Sequence, residues 1–164
     1  PLVYSNGFNP QPKINYIYPL PVGIEGLNEV IIFRSDEIDF EDGFKEKLNE
    51  LLPSGIKVKK ISKIGKYEQG EATVTYLLEE PDFRFLIDKY EKNECFYEKI
   101  NRSGERKKLE IRDFLIGYDI NLLTIDLKVD NNGGYNLLEF FKFWNYNYLN
   151  IVRTKIKLKG MSYV

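Results

Sequence analysis

The chain has no histidine and a single cysteine, Cys95, and these two counts decide most of what chemistry it can carry. Without an imidazole there is no Ser-His-Asp or Cys-His nucleophile, no His-ligated metal, and no side chain that titrates unperturbed near neutral pH. With one thiol there is no internal disulfide and no thiolate cluster for zinc or iron–sulfur. Carboxylate, Lys, Tyr or substrate-assisted chemistry remains, or no chemistry, and no cofactor is called for. Asp126 and Asp130 share the polar side of one predicted strand, with Asp113 and Asp119 before it, which is the raw material of a cation site. Alternating solvent-facing residues explain the same spacing and are preferred. Gly133-Gly134 ahead of a helix could cradle a phosphate but lacks the Lys-Ser/Thr of a P-loop, and it reads as a turn. Cys95, next to Phe96, reads as a small buried hydrophobe.

Two groups of residues could bind rather than react. In the 5–13 segment, Ser5, Asn6, Asn9, Gln11 and Lys13 offer hydrogen bonds, and Gly7 allows close backbone approach. This makes them a candidate ligand or partner loop, weighed equally against a rigid connection whose polar side chains satisfy their own backbone. The second group is basic: Lys99, Arg102, Arg106, Lys107, Lys108 and Arg112 around a predicted hairpin, with Arg153, Lys155, Lys157 and Lys159 on the last predicted strand. With Tyr97 and Tyr148 among them they could meet RNA phosphates and stack bases. Glu98, Glu105 and Glu110 interleave, however, and the net charge is −1. These favour a solvated strand face that discourages edge pairing. The basic-Gly-aromatic run of an RNA-recognition motif is absent.

The elements that must position these residues follow from period and punctuation. The chain's 164 residues, 43% hydrophobic and 30% charged, have an ordinary globular balance. No apolar run reaches the length of a membrane span and no leader is visible at the start, so a cytoplasmic setting is expected. Residues 14–20 and 29–34 read as strands, the second apolar enough to be buried on both faces. Residues 39–52 read as a helix with Phe40, Phe44, Leu48, Leu51 and Leu52 at helical spacing, Ser35, Asp36 and Asp39 as candidate N-caps, and Pro53 and Gly55 as the stop. Residues 56–64 read as a strand with Lys57, Lys59, Lys60 and Lys63 outward. A polar stretch at 65–71 marks an internal boundary.

Beyond it, 72–78 alternates as a half-buried strand, and Pro81 opens a helix to about residue 93. Residues 95–101 and 106–111 form a hairpin, while 112–116 carry no clear period. Residues 121–129 alternate, with Leu123, Ile125, Leu127 and Val129 on one face. Asp130-Asn131-Asn132-Gly133-Gly134 turns into a helix over 135–144. Residues 150–159 close the chain as a strand with Val152, Thr154, Ile156 and Leu158 inward and Arg153, Lys155, Lys157 and Lys159 outward. The order β-α-β-(β)-β-α-β after residue 72 is the ferredoxin-like split arrangement with an inserted hairpin. The β-β-α-β before it is the same unit lacking its first strand and helix. The fold expected is therefore α+β, two tandem ferredoxin-like halves at 1–66 and 67–164, the first truncated.

One string is unusual enough to compare with a family. Tyr4-Ser5-Asn6-Gly7-Phe8-Asn9-Pro10-Gln11-Pro12-Lys13, followed by Pro19-Leu20-Pro21-Val22-Gly23-Ile24-Glu25, resembles the signature of a bacterial radical-SAM-linked domain of unknown function. Its pattern runs Y-S-x-G-F-N-P-H-P-K and then L-P-x-G-x-E. Lys107-Lys108-Leu109-Glu110-Ile111-Arg112 and Val152-Arg153-Thr154 resemble that family's later segments. The resemblance implies a non-catalytic partner or substrate-handling domain for a radical SAM protein. The alternatives are an RNA-binding or RNA-modifying module, which tandem ferredoxin-like halves suggest by fold analogy, and a scaffold that mediates oligomerisation. Two departures stand out. The motif histidine is Gln11 here, which can hydrogen-bond but cannot shuttle protons, and the strand and helix that usually begin the family are missing.

Overall fold

A computed structural model describes residues 2–36, 43–64, 70–101, 103–130 and 133–159. The elements in chain order are β1 (Ile14–Tyr16), β2 (Glu25–Gly26), β3 (Ile31–Phe33), α1 (Phe44–Leu51), β4 (Ala72–Leu78), α2 (Glu80–Glu91), β5 (Phe96–Ile100), β6 (Arg106–Glu110), β7 (Leu115–Asp119), β8 (Thr124–Asp130), β9 (Gly133–Gly134), α3 (Leu137–Phe143) and β10 (Ile151–Leu158), with a 3-10 turn at Ile111–Asp113. The fold is α+β. The chain divides into two compact units, Pro1–Asn15 with Ile31–Glu68, and Tyr16–Val30 with Gln69–Val164. Residues 16–30 thus go with the second unit, although they precede residue 66 in sequence.

The second unit holds the core. Its main sheet runs β2-β10-β4-β8-β7, with β9 beside β8. Every neighbour pair among β10, β4, β8 and β7 is antiparallel, while β2 lies parallel to β10. Alternation in β4 puts Ala72, Val74, Tyr76 and Leu78 inward. Their cross-strand neighbours Ile125, Leu127, Val129, Ile151, Ile156 and Leu158 share that face, and Phe83, Leu86, Leu137, Phe140 and Phe141 of the two helices are buried with them. Asn136 caps α3, accepting from the Leu138 and Glu139 amides at 3.0 and 3.4 Å. Asp82 in the first turn of α2 is fully buried, and its carboxylate accepts from the Leu149 amide at 2.9 Å and the Asn150 amide at 3.2 Å. It ties the helix start to the chain entering β10. The hairpin β5–β6 is a separate two-stranded sheet. Its turn is held by Asn101, which accepts from the Ser103 and Glu105 amides.

Three expectations are corrected here, and the stretch left without a clear period is assigned. The strand expected at 29–34 shortens to β3 and no residue in it is buried. Residues 56–64 form no strand among the described residues: the Val58 amide and carbonyl are both taken by the Asn49 side chain instead of a neighbouring strand. The stretch 112–116 is a 3-10 turn followed by β7, which has no clean alternation because a register shift falls between Leu115 and Gly117. Finally, β10 does not alternate throughout. Arg153 pairs with Tyr76 and Lys155 pairs with the adjacent Thr75, so Thr154 is an extra residue in a bulge. N-terminal to the bulge the faces reverse, and Arg153 points inward. Asp39 and the rest of 37–42, the boundary residues 65–69, and Asn131 and Asn132 lie outside the described residues.

In the first unit β1 and β3 pair. Residues 3–13 fold back on themselves through a bridge between Tyr4 and Pro12, and the Val3 amide donates to the Arg34 carbonyl.

Candidate functional site

The 5–13 segment is a finger rather than an open loop. The Ser5 amide donates to the Gln11 carbonyl at 2.8 Å, and the Gln11 amide donates back to Ser5 Oγ at 2.9 Å. Below this pair the Lys13 amide donates to the Val3 carbonyl at 2.8 Å. Pro10 and Pro12 fix φ along the returning arm. Gly7 adopts φ +135°, with open space where a Cβ would sit, so the apex demands glycine for its backbone alone. Ser5 and Gln11 are therefore brought together, but through groups that brace the finger. Asn6, Asn9, Gln11 and Lys13 are exposed. The apex residue is Phe8, whose ring is fully in water at 107% relative exposure. The motif drew attention to the polar positions, and Phe8 was legible only as one of its letters.

The basic group does not assemble as a single face. On one side of the hairpin, Lys108 pairs with Glu110 at 2.7 Å and lies over the Phe96 ring at 4.1 Å, while Arg106 comes within 4.0 Å of Glu98. Arg112 stacks on the Tyr90 ring at 4.7 Å and donates to the Tyr90 carbonyl. Lys159 pairs with Glu71 at 2.6 Å. Lys99 and Lys107 stand directly opposite each other on the hairpin's other side. Lys155 and Lys157 are exposed on the sheet face away from the helices. Tyr97, expected on the basic face, is buried and accepts from the Asn136 amide, and Tyr148 stacks on Phe141. Arg102 lies outside the described residues.

Arg153 is the largest departure. Its side chain has no exposure at all, so it cannot reach a phosphate. Its guanidinium donates to both carboxylate oxygens of Glu29, from Nε at 2.9 Å and from Nη2, and to the backbone carbonyls of Tyr18 and Pro19. It lies 5.3 Å from the centre of the Tyr18 ring, and the Tyr76 hydroxyl completes its surroundings. Burial works against its charge, but Glu29 and Tyr76 outweigh that and hold its proton more tightly than usual. Burial likewise pushes the Tyr18 and Tyr76 phenols up.

The chain between Tyr18 and Glu29 is strapped around this residue. β2 pairs Glu25 and Gly26 with Val152 and Arg153, the Leu27 amide donates to the Arg153 carbonyl at 2.9 Å, and Asn28 donates to the Thr154 carbonyl at 2.7 Å. Glu29 folds over Gly26, where an added Cβ would come within 2.6 Å of its carboxylate. Two of the strings singled out in the sequence, 19–25 and 152–154, meet here as a structural lock.

The acidic candidates disperse. Asp126 accepts from the Thr75 hydroxyl at 2.5 Å and Asp119 caps the following turn through the Asn121 and Leu122 amides. Among the described residues no three His, Cys, Asp or Glu side chains gather to hold a metal ion. Cys95 is buried with Sγ 4.0 Å from Tyr135 Oη, and burial pushes its thiol up to about 12. It is no nucleophile at neutral pH. Gly133 and Gly134 form β9 beside β8, and Gly134 lies so close to the Val129 side chain that a Cβ would not fit there. No helix of the described residues is long and apolar enough to cross a membrane.

The arrangement presents a braced finger with one exposed aromatic ring at its apex, and lysines on separate faces. No curated protein and no solved structure matches the chain. Residues 1–137 match the family model described as an uncharacterized protein conserved in bacteria, DUF2344, and the chain belongs to that family.

Proposed function

We propose that this chain is a non-catalytic docking module that engages a protein partner through the 5–13 finger. The partner to test first is a radical SAM protein, which the family resemblance implies. The observation that carries the reading is Phe8. A phenyl ring held fully in water on a hydrogen-bonded loop gains about 1.5–3 kcal/mol when a partner buries it, and the loop is already ordered, which lowers the entropic cost of docking. Asn6, Asn9, Gln11 and Lys13 around it supply the polar rim that fixes orientation.

The experiment is the affinity of the chain for a purified radical SAM protein, with Phe8→Ala as the variant. Loss of roughly tenfold or more in affinity with an unchanged melting temperature supports the reading. A complex indifferent to Phe8→Ala, or no complex, defeats it.

A second reading, RNA binding, draws support from Lys99 and Lys107. Like charges directly opposite on paired strands repel, and a phosphate between them would relieve that. Lys155 and Lys157, exposed on β10, are a separate pair of candidates for the same chemistry. A salt series of RNA binding with Lys99→Ala/Lys107→Ala tests it, since each lost phosphate contact lowers the salt slope. We also read the second unit as ferredoxin-like. Its strand order, fourth-first-third-second if β4, β7, β8 and β10 are counted in turn, supports that.

A further inference from the structure

We propose that β7 is a docking edge for a second copy of this chain, the two β7 strands adding antiparallel to each other and joining the main sheets of both copies. Among the described residues β7 stands at the end of the main sheet, with β8 as its one neighbour. The Lys128 amide donates to the Phe114 carbonyl at 2.8 Å, and the Leu78 amide donates to the Leu123 carbonyl at 3.1 Å. These two bonds fix which way β8 turns its backbone groups: Lys128 faces the β7 side and Leu123 faces β4. By the alternation of an antiparallel ladder, Asp126 and Thr124 also bond toward β7, onto their partners Gly117 and Asp119. Tyr118, between those two, is left with its N–H and C=O turned away from β8, and no described residue takes them.

Outward backbone groups on an edge are met by another extended strand, and the side chains along the edge say which one. Ile116, Tyr118, Ile120 and Leu122 are 56%, 40%, 64% and 64% exposed. Residues 113–127 contain no Lys, Arg or Pro, the types that keep open edges apart. The other edges do carry them: Lys155 and Lys157 on β10, Lys99 and Lys107 on the hairpin. A two-fold axis at Tyr118 sets this residue against its own copy, so that the two exchange both outward groups. It also sets Ile116 of one copy against Ile120 of the other. Asp119, the one charge in the strand, then falls opposite Gly117, and no like charges oppose. Centring the axis on Asp119 instead would set the two carboxylates against each other. The edge is thus matched to itself in a single register, and the contact closes at two copies. The register shift between Leu115 and Gly117 keeps the shared ladder short. The interface therefore lies near the low end for specific contacts, about 1,000 Å² in all, and the dimer is weak.

The test is sedimentation equilibrium of the full chain from micromolar to millimolar concentration, with amide hydrogen exchange measured at both ends of that range. A monomer–dimer equilibrium is expected, with a dissociation constant on the order of 10–100 μM. Exchange at the Tyr118 amide should slow about tenfold as the dimer forms. The Asp119 amide, bonded to β8 in either state, should change little. Ile120→Lys should raise the dissociation constant at least about tenfold. Ile100→Lys, at an equally exposed apolar position on β5, should leave it unchanged. Circular dichroism of both variants reports whether they remain folded, and the exchange measurement on the unaltered chain needs no variant.

A chain that stays monomeric at millimolar concentration overturns the proposal. So does a dimer that a folded Ile120→Lys leaves intact, or one in which exchange at the Tyr118 amide is unchanged, since the contact then lies elsewhere. A monomer whose complex with a radical SAM protein is weakened by Ile120→Lys overturns it as well, and gives the edge to that partner. None of these outcomes depends on Phe8, so the proposal and the docking reading stand or fall separately.

Discussion

Glu29→Gln is the sharpest test of the lock around Arg153. The substitution keeps the shape of the side chain and removes its charge, leaving a guanidinium of zero exposure without its counter-ion. Truncating one partner of a fully buried ion pair costs about 3–5 kcal/mol. Glu29 keeps 27% of its side-chain surface in water, so the lower end, about 3 kcal/mol, is expected. For a chain of this size that is a fall of roughly 6–12 °C in melting temperature. Arg153→Met removes the buried charge itself, leaving the Tyr18 and Pro19 carbonyls unpaired, and should cost a similar amount. The double variant Glu29→Gln/Arg153→Met removes both charges together and should cost less than the two single changes combined by at least about 1.5 kcal/mol. Urea unfolding gives the free energies. Hydrogen exchange gives the location, with Glu29→Gln raising exchange at the Leu27 amide, which donates to the Arg153 carbonyl. If Glu29→Gln changes stability by less than about 0.5 kcal/mol, the guanidinium is solvated in solution and the reasoning fails.

Three further outcomes follow from the same geometry. Asp82→Ala should destabilise by about 2 kcal/mol in urea unfolding, because two backbone amides entering β10 lose their acceptor. Asp82→Asn should cost less, and equal costs would mean that the charge rather than the hydrogen bonding matters. Asn49→Ala should free the 53–58 turn, raising exchange at the Val58 amide about fivefold for a loss near 1 kcal/mol, and an unchanged rate would show that Asn49 does not hold it. Cys95 should be silent to an aromatic disulfide reagent at pH 8 until urea unfolds the chain. Its folded thiol stands near 12 against an ordinary 9.0, so the unfolded chain loses its proton first as pH rises. Stability is full below about pH 9 and falls by about 1.4 kcal/mol per pH unit between there and about 12. Cys95→Ala should flatten that part of the curve, and an unchanged alkaline slope would place the loss elsewhere, among the buried tyrosines.

How much of this was legible depended on whether a residue's environment is set by its neighbours in sequence. β4 was, because Ala72 to Leu78 alternate without interruption and both flanking strands are antiparallel to it. The β5–β6 hairpin was, because Asn101 and Gly104 supply the turn chemistry locally. The 3.6-residue period also located α3, whose cap Asn136 is a good N-cap type. The first unit read less well for a physical reason. Period and composition indicate where apolar residues can line up, but burial needs something to bury them against. Residues 56–64 have strand composition without a ladder among the described residues. The finger was found through its motif, and what the motif could not convey is that Ser5 and Gln11 spend their backbone and hydroxyl groups on each other.

The bulge at Thr154 shows how a single inserted residue changes a functional argument. Alternation from Lys159 back to Lys155 is regular, and extending it two residues further puts Arg153 among the solvent-facing lysines. The extra residue reverses the faces, and no local signal announces it, since Val152-Arg153-Thr154 reads equally well in either register. Once inside, the guanidinium has a requirement that an apolar residue would not have. Its donors must all find acceptors, and those acceptors come from Tyr18, Pro19 and Glu29, more than 120 positions away. A leucine at 153 could match the burial, but it would accept the 16–30 segment in several registers. The fork of an arginine accepts one, with Glu29 over Gly26 and the Tyr18 and Pro19 carbonyls turned inward. The buried pair therefore gives the sheet little net stability and instead specifies where the strap lies. Of the 19–25 signature, Pro19 gives its carbonyl to that fork and Glu25 pairs with Val152, while Tyr18 and Glu29, just outside it, supply the other acceptors.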